Sequence, residues 1–140
     1  MITPEMIAKA GSEHAHQSAL FCWAAMNVGK YPELKWLHAI PNGYFSTSGQ
    51  KAKSKAEGLR NGVPDVFLPS PFITADVTHI FHGLYIEMKI EKHRTAKNGG
   101  CSDEQLEFIE FAERMGYYCK VCYNWIEAKD TIVEYLELKV

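Results

Sequence analysis

The sequence lacks both a long apolar run and a secretory leader. Its longest uninterrupted apolar stretch runs only from Ala19 to Met26, far short of the roughly 20 residues that cross a bilayer. The N-terminus, Met1 to Glu5, has neither the basic start nor the apolar block of a signal peptide. We therefore expect a cytoplasmic protein with no membrane partner.

Cysteine and histidine are too few and too scattered for a disulfide scaffold or a zinc finger. The four cysteines form no dense pattern, which suits a reducing compartment. Cys119 and Cys122 have the Cys-x-x-Cys spacing of zinc and redox sites, yet they fall in a segment with strand character. Because residues three apart on a strand point to opposite faces, we interpret the pair as structural. The six histidines form no ligand-spaced cluster, and we assign none of them a role.

Positive charge is not in excess over the whole chain, whose net charge is −2; this argues against coating of nucleic acid by bulk charge. However, residues 51–60 and 89–97 hold eight of the fifteen Lys and Arg residues against two acids. Such segregation is typical of a phosphate-binding face, although two solvated loops would show the same pattern. The candidate nucleic-acid contacts are Lys51, Lys53, Lys55, Arg60, Lys92, Arg94 and Lys97.

The length predicts a single domain over residues 1–140. Apolar periodicity and caps predict three helices, over 12–28, from a Ser-x-x-Gln capping box at 102–105 to about 116, and over 126–138. Strand patterns are found at 38–40, 63–68, 83–90 and 117–123, with a loop over 46–62. A helix between the last two strands predicts that they are parallel. The order α, β, β, β, α, β, α indicates a mixed α/β sheet flanked by helices.

The strongest strand pattern carries charge on one of its two faces. Leu84, Ile86 and Met88 fall on one face, whereas Glu87 and Lys89 fall on the other. Charged residues in mid-sheet are costly unless they are paired or bind something. A cross-strand salt bridge on a solvated sheet face is the alternative interpretation.

Asp65 stands at the start of the preceding predicted strand. If the two strands pair, the carboxylates of Asp65 and Glu87 converge, and a divalent cation would remove their repulsion. Hard oxygen ligands favour Mg²⁺ or Mn²⁺ over Zn²⁺, and the backbone carbonyl of Met88 would add a further oxygen. Lys89 would contact the attacking water or the charge that develops on a phosphate. These are the parts that phosphodiester hydrolysis needs, although Gly-x-Pro-Asp alone is a common turn before a strand.

Six separated motifs resemble the VRR-NUC (virus-type replication-repair nuclease) domain of the PD-(D/E)xK nuclease superfamily. Their order and spacing match from residue 12 to the end of the chain. The motifs are Ser12-Glu13-His14 with Gln17, Ile40-Pro41-Asn42-Gly43, residues 57–65, residues 83–89, Ser102-Asp103-Glu104-Gln105 and Gly116-Tyr117. The resemblance implies a restriction-endonuclease-like α/β fold and a Mg²⁺- or Mn²⁺-dependent nuclease. Its catalytic core would be Asp65, Glu87 and Lys89.

The resemblance also implies roles for residues outside that core. It makes Glu13 an additional acidic residue of the catalytic and metal site, supported by Gln17 one turn away, and it makes Gln105 a helper beside Lys89. Two alternatives stay open, because Glu13 suits the first turn of a helix through the helix dipole and Gln105 suits a capping box. Asn42 is a candidate DNA contact, but Asn-Gly is also an ordinary turn.

Members of this family occur as C-terminal parts of larger repair nucleases and as short stand-alone proteins, often from phages. This chain resembles the second kind. By that resemblance we expect a homodimer that cuts branched DNA, such as four-way junctions or flaps, in the host cytoplasm if a phage encodes it. The alternatives are a nuclease without structure preference, as in restriction, and a catalytically idle nucleic-acid-binding module.

Overall fold

The computed structural model describes residues 1–41 and 47–138, and it confirms the prediction of a mixed sheet flanked by helices. The helices are α1 (Pro4–Ala8), α2 (Glu13–Asn27), α3 (Ser48–Ala56), α4 (Asp103–Arg114) and α5 (Trp125–Leu138). The strands are β1 (His38–Ala39), β2 (Val66–Leu68), β3 (Phe72–Ile73), β4 (Ile80–Phe81), β5 (Leu84–Met88) and β6 (Tyr118–Cys122). Short 3₁₀ turns cover Pro32–Trp36, Glu91–His93 and Lys97–Gly100. Among the described residues, no helix is long and apolar enough to span a membrane.

The main sheet has the strand order β1-β2-β5-β6. Strand β2 is antiparallel to both β1 and β5, whereas β5 and β6 are parallel. The parallel pair confirms the prediction made from the intervening helix, since a parallel connection needs a crossover of about a dozen residues or more. Strands β3 and β4 form a separate two-stranded hairpin.

Strand β5 lies at the centre of the domain and is enclosed on both faces. Leu84, Ile86 and Met88 are buried in a core that also contains residues of α2 and α5. Each such side chain contributes about 1.5–3 kcal/mol when it is removed from water. On the opposite face, Tyr85 packs edge-on against Phe108 of α4, with ring centroids 5.3 Å apart. Charged side chains of β5 on that second face are therefore not on an open sheet surface.

Helix α3 corrects the prediction of a loop over 46–62. Thr47 caps the helix with its Oγ1, which accepts from the Gln50 N–H at 3.1 Å. None of its residues is buried, so the apolar period that identifies a helix in sequence is missing. Helix α1 and the β3–β4 hairpin were also not predicted, because segments of two to five residues are too short to show a period.

Candidate active site

Asp65 and Glu87 lie side by side at one end of the main sheet. Val66 of β2 pairs with Ile86 of β5 in antiparallel register, so Asp65, the residue before Val66, stands opposite Glu87. Directly opposed residues of an antiparallel pair have their side chains on the same face. The sequence predicted that these carboxylates converge if the two strands pair, and the strands do pair.

Asp65 also binds the end of β5 through the backbone. Its Oδ2 accepts a hydrogen bond from the Met88 N–H at 2.8 Å. Because the N–H and C=O of a strand residue point to the same side, the Met88 carbonyl faces the side on which Asp65 lies. Two carboxylates and one carbonyl thus face a common region.

The Glu87 carboxyl group is buried and only half satisfied. Its side chain is 3% exposed, and Oε1 accepts from Gln105 Nε2 at 2.7 Å. Its Oε2 is buried and has no hydrogen-bond partner within the described part of the chain. Burial first, and then the negative charge of Asp65, raise the pKa of Glu87 from 4.5 to about 8; Lys89 opposes this rise, and Glu13 adds to it. The pocket therefore disfavours a bare Glu87 carboxylate at neutral pH.

Lys89 lies in the same enclosed pocket. Its Nζ is 3.4 Å from Glu87 Oε1, and its side chain is only 11% exposed. The alternative of a salt bridge on a solvated face does not describe this pair, because water has little access to either group. An enclosed pair gains little net stability from its mutual attraction, since both charges lose hydration.

Gln105 connects Lys89 to Glu87. Its Oε1 accepts from Lys89 Nζ at 3.2 Å and from the Ser102 N–H at 2.8 Å, while its Nε2 donates to Glu87. The Ser102 N–H belongs to the predicted capping box, which is present at the start of α4. Because the Ser102 N–H is a donor, it needs an acceptor and therefore orients the Gln105 side-chain amide with Oε1, not Nε2, toward Ser102 and Lys89. Gln105 is thus a capping partner and a contact of the pocket at once.

Close packing at Gly62 brings α4 to the site. Gly62 has a φ of +88°, and a Cβ at this position would lie 2.6 Å from the backbone carbonyl carbon of Glu104. The absence of a side chain therefore allows the segment before Asp65 to contact the first turn of α4. That contact brings the chain segments that carry Asp65 and Gln105 together.

Glu13 lies in the first turn of α2, at the edge of the site. It contacts His93, a residue that the sequence patterns did not indicate. His93 Nδ1 is 3.6 Å from Glu13 Oε1. This nitrogen is buried and has no hydrogen-bond partner among the described residues. The six histidines form no ligand-spaced cluster in the sequence, and Glu13 and His93 are 80 positions apart in the chain, so sequence patterns do not indicate this contact. The only local signal was the position of His93 in the turn that follows Lys89.

Arg94, a candidate phosphate contact, lies in an ion-pair network. Its Nε and Nη2 donate to the Glu91 carboxylate at 2.8 and 2.9 Å, and Nη2 also donates to Glu127. Its guanidinium carbon lies 4.5 Å from the centroid of the Tyr123 ring. The pairing raises the pKa of Arg94, and it lowers the pKa of Glu91 to about 2. These contacts tie the turn that contains His93 to the start of α5.

The other predicted DNA contacts lie on two exposed segments. The first segment comprises α3 and residue 60, and the second comprises the turns after β5. The exposed side chains are Lys51, Lys53, Lys55 and Arg60 on the first segment and Lys92 and Lys97 on the second. The first segment leads along the chain to Gly62, which contacts the start of α4, and the second leads to Ser102, the N-cap of α4. Asn42 lies outside the described residues. Contact with nucleic acid stays a prediction for all of them.

The donor set suits a hard divalent cation with few protein ligands. Among the described residues there is no group of three or more His, Cys, Asp or Glu side chains that could hold a metal ion. Mg²⁺ is commonly held by one or two carboxylates, with water and substrate phosphate completing its shell. Asp65, Glu87 and the Met88 carbonyl match that pattern, and Glu87 Oε2 has no hydrogen-bond donor among the described residues. The residues present therefore fit Mg²⁺ or Mn²⁺.

Comparison with solved structures finds a VRR_NUC domain protein with the same fold. The two share 24% sequence identity and superpose with a TM-score of 0.69, over 91% of this chain and 90% of that one. Neither a family model nor a curated protein sequence matches this chain. The structural similarity confirms the predicted VRR-NUC fold.

Proposed function

We propose that this chain, which has the fold of a VRR-NUC domain, is a metal-dependent DNA endonuclease. The observation that carries the proposal is the meeting of Asp65, Glu87 and Lys89 in one enclosed pocket at the end of β5. Two adjacent carboxylates and a buried ammonium are costly to place together. They are useful where a phosphodiester must be bound and its negative charge stabilised.

Each residue of the pocket has a distinct role in this proposal. Asp65, Glu87 and the Met88 carbonyl hold the divalent cation, with Glu13 as an outer acid. When bound, the cation neutralises the carboxylates and acts as a Lewis acid on a phosphoryl oxygen. Lys89 stabilises negative charge that grows on the phosphate during attack.

Gln105 has a positioning role within the same pocket. It holds the Lys89 ammonium through its oxygen and the Glu87 carboxylate through its amide nitrogen. Because Ser102 fixes the amide orientation, the ammonium is held in place before substrate arrives. A group held in advance needs no reorganisation during the reaction, which is the source of its catalytic value.

The finer parts of the proposal concern the substrate and the assembly. We propose that the enzyme acts as a homodimer on branched DNA, either four-way junctions or flaps, in the cytoplasm, which is that of the host if a phage encodes it. The support for these points is the resemblance of its motifs to the short stand-alone VRR-NUC proteins. Lys51, Lys53, Lys55, Arg60, Lys92 and Lys97 are proposed to contact the phosphate backbone.

The test is a cleavage panel run under single-turnover conditions. Duplex, flap, forked and four-way-junction DNA are incubated with the protein, with and without Mg²⁺ or Mn²⁺, and Asp65→Asn serves as the inactive control. We expect metal-dependent cleavage by the wild type and a loss of at least about a hundredfold in the variant. Equal cutting of duplex and junction would instead indicate a restriction-type nuclease, and binding without any cleavage an idle binding module. Sedimentation of the protein with and without junction DNA tests the homodimer.

A further inference from the structure

Helix α3 has well-formed ends and lies on the surface of the described part of the chain. Thr47 caps its start, and the chain leaves it through Gly58, whose φ is +101°. None of the nine residues from Ser48 to Ala56 is buried. Helices in proteins are stabilised mainly by packing of an apolar face, and α3 has no buried residue that would provide such packing.

The local sequence does not replace the missing packing. An isolated helix shorter than about 12–15 residues is marginal in water. Lys51 and Lys55 lie one turn apart, where like charges repel, and Glu57 lies at the C-cap, near the negative end of the helix dipole. The favourable position of Lys53 and Lys55 in the last turn offsets only part of this. Helix and coil are therefore close in free energy for this segment in the free protein.

The charge of the segment identifies the partner that would stabilise it. Ser48–Ala56 contains three lysines and no acid, and all three lysines are exposed. A phosphate backbone supplies the opposite charge and relieves the repulsion between Lys51 and Lys55. An apolar partner would find no apolar face on this helix. Charge complementarity thus favours nucleic acid.

We propose that α3 is a DNA-contacting arm whose helix is stabilised by binding to the phosphate backbone. The inference rests on the proposed nuclease function and adds a folding step to DNA binding. In the free protein, Ser48–Ala56 exchanges between helix and coil, and DNA binds the helical state. Because only part of the free protein has the helix formed, the apparent affinity is lower than that of the helical state. The arm is anchored at its C-terminal end, where Leu59 is half-buried and lines a groove with Ile40 and Pro41.

Substitutions that change helix stability but not charge provide the test. Ala52 is exposed in the middle of α3, and Ala52→Gly should weaken binding of a fluorescein-labelled duplex about fivefold, because the cost of the less stable helix then falls on binding. Gly49→Ala should tighten binding about threefold, since a Cβ there meets nothing closer than Thr47 Oγ1 at 3.9 Å. Neither change should alter the melting temperature of the free protein. Fluorescence anisotropy without divalent metal measures affinity in the absence of cleavage.

Ala25→Gly is the matched control, since Ala25 is an exposed alanine in the packed helix α2. It should lower the melting temperature by about 3 °C and leave the DNA affinity unchanged. Amide hydrogen exchange of the full chain gives a second measurement. Amides of Ser48–Ala56 should exchange with little protection in the free protein and become protected when the duplex is added.

Three results would overturn the inference while leaving the nuclease proposal standing. The first is that the wild type, Ala52→Gly and Gly49→Ala bind with equal affinity a duplex that the wild type binds. The second is strong protection of the Ser48–Ala56 amides in the free protein. The third is a lower melting temperature for Ala52→Gly than for the wild type. Each would mean that α3 belongs to the preformed fold or does not contact DNA. If the wild type bound neither duplex nor junction DNA, both proposals would fail.

Discussion

The raised pKa of Glu87 predicts a specific dependence of stability on pH in the metal-free protein. The folded state keeps the Glu87 proton up to about pH 8, whereas the unfolded chain releases it near pH 4.5. Between these two values the folded state binds more protons than the unfolded state, so the free energy of unfolding falls as pH rises. Below the lower value and above the higher value, this contribution does not change with pH.

Glu87→Gln removes the titrating proton while keeping the size of the side chain and the oxygen that accepts from Gln105. The gap between 4.5 and about 8 corresponds to roughly 5 kcal/mol at 1.36 kcal/mol per pH unit. Relaxation of the surrounding chain around the charge reduces this figure. We therefore expect the stability of the variant, relative to wild type, to increase by about 2–4 kcal/mol between about pH 5 and pH 8.5.

Urea denaturation across this pH range, in the presence of a chelator, measures the effect. Glu110→Gln, at an exposed position of α4, is the control and should follow the wild-type profile. Adding Mg²⁺ or Mn²⁺ at about pH 8.5 should stabilise the wild type, by about 2.7 kcal/mol at a hundred times the dissociation constant, and should stabilise Glu87→Gln much less. Parallel pH profiles for wild type and Glu87→Gln would refute the reasoning that burial and Asp65 hold the proton on Glu87.

Four further substitutions test individual contacts of the site. Lys89→Met should slow single-turnover cleavage about a hundredfold, or about 3 kcal/mol, with near-normal DNA affinity; a lower melting temperature with a normal rate would make it a structural ion pair. Gln105→Leu should lower both the free energy of unfolding and the cleavage rate, whereas Ser102→Ala should remove only the helix cap, about 1 kcal/mol of stability. Equal cleavage rates in the two variants would contradict the positioning role of Gln105. Gly62→Ala should cost about 2 kcal/mol in urea denaturation, because its Cβ meets the α4 backbone, and an unchanged midpoint would count against that packing. Arg94→Gln should leave the slope of log affinity against log salt unchanged; a decrease of about 0.9 would show that Arg94 contacts phosphate.

The elements that could be predicted from sequence are those with a signal between near neighbours in the chain. Strand β5 was found because apolar and charged residues alternate along it. Helix α4 was found from Ser102 and Gln105, whose side chains cap the helix as predicted. Helix α3 was missed because none of its residues is buried, so its sequence shows no apolar period.

For the candidate active site, the sequence alone determined which groups are present and that Glu87 and Lys89 share one face of a strand. The tertiary structure decided what surrounds them. It placed Asp65 opposite Glu87, brought Gln105 from α4 between Glu87 and Lys89, and left Glu87 Oε2 without a hydrogen-bond partner in the described part of the chain.

The same distinction explains the outcomes at the edge of the site. The sequence predicts Arg94 as a DNA contact, and the structure pairs it with Glu91 and with Glu127 of α5. Glu13 was named from a motif, and its contact with His93 was not foreseen. Strand alternation and helix caps depend on residues two to four positions apart, so they can be found in the chain itself. Contacts between residues tens of positions apart depend on how helices and strands pack, and only the folded chain determines them.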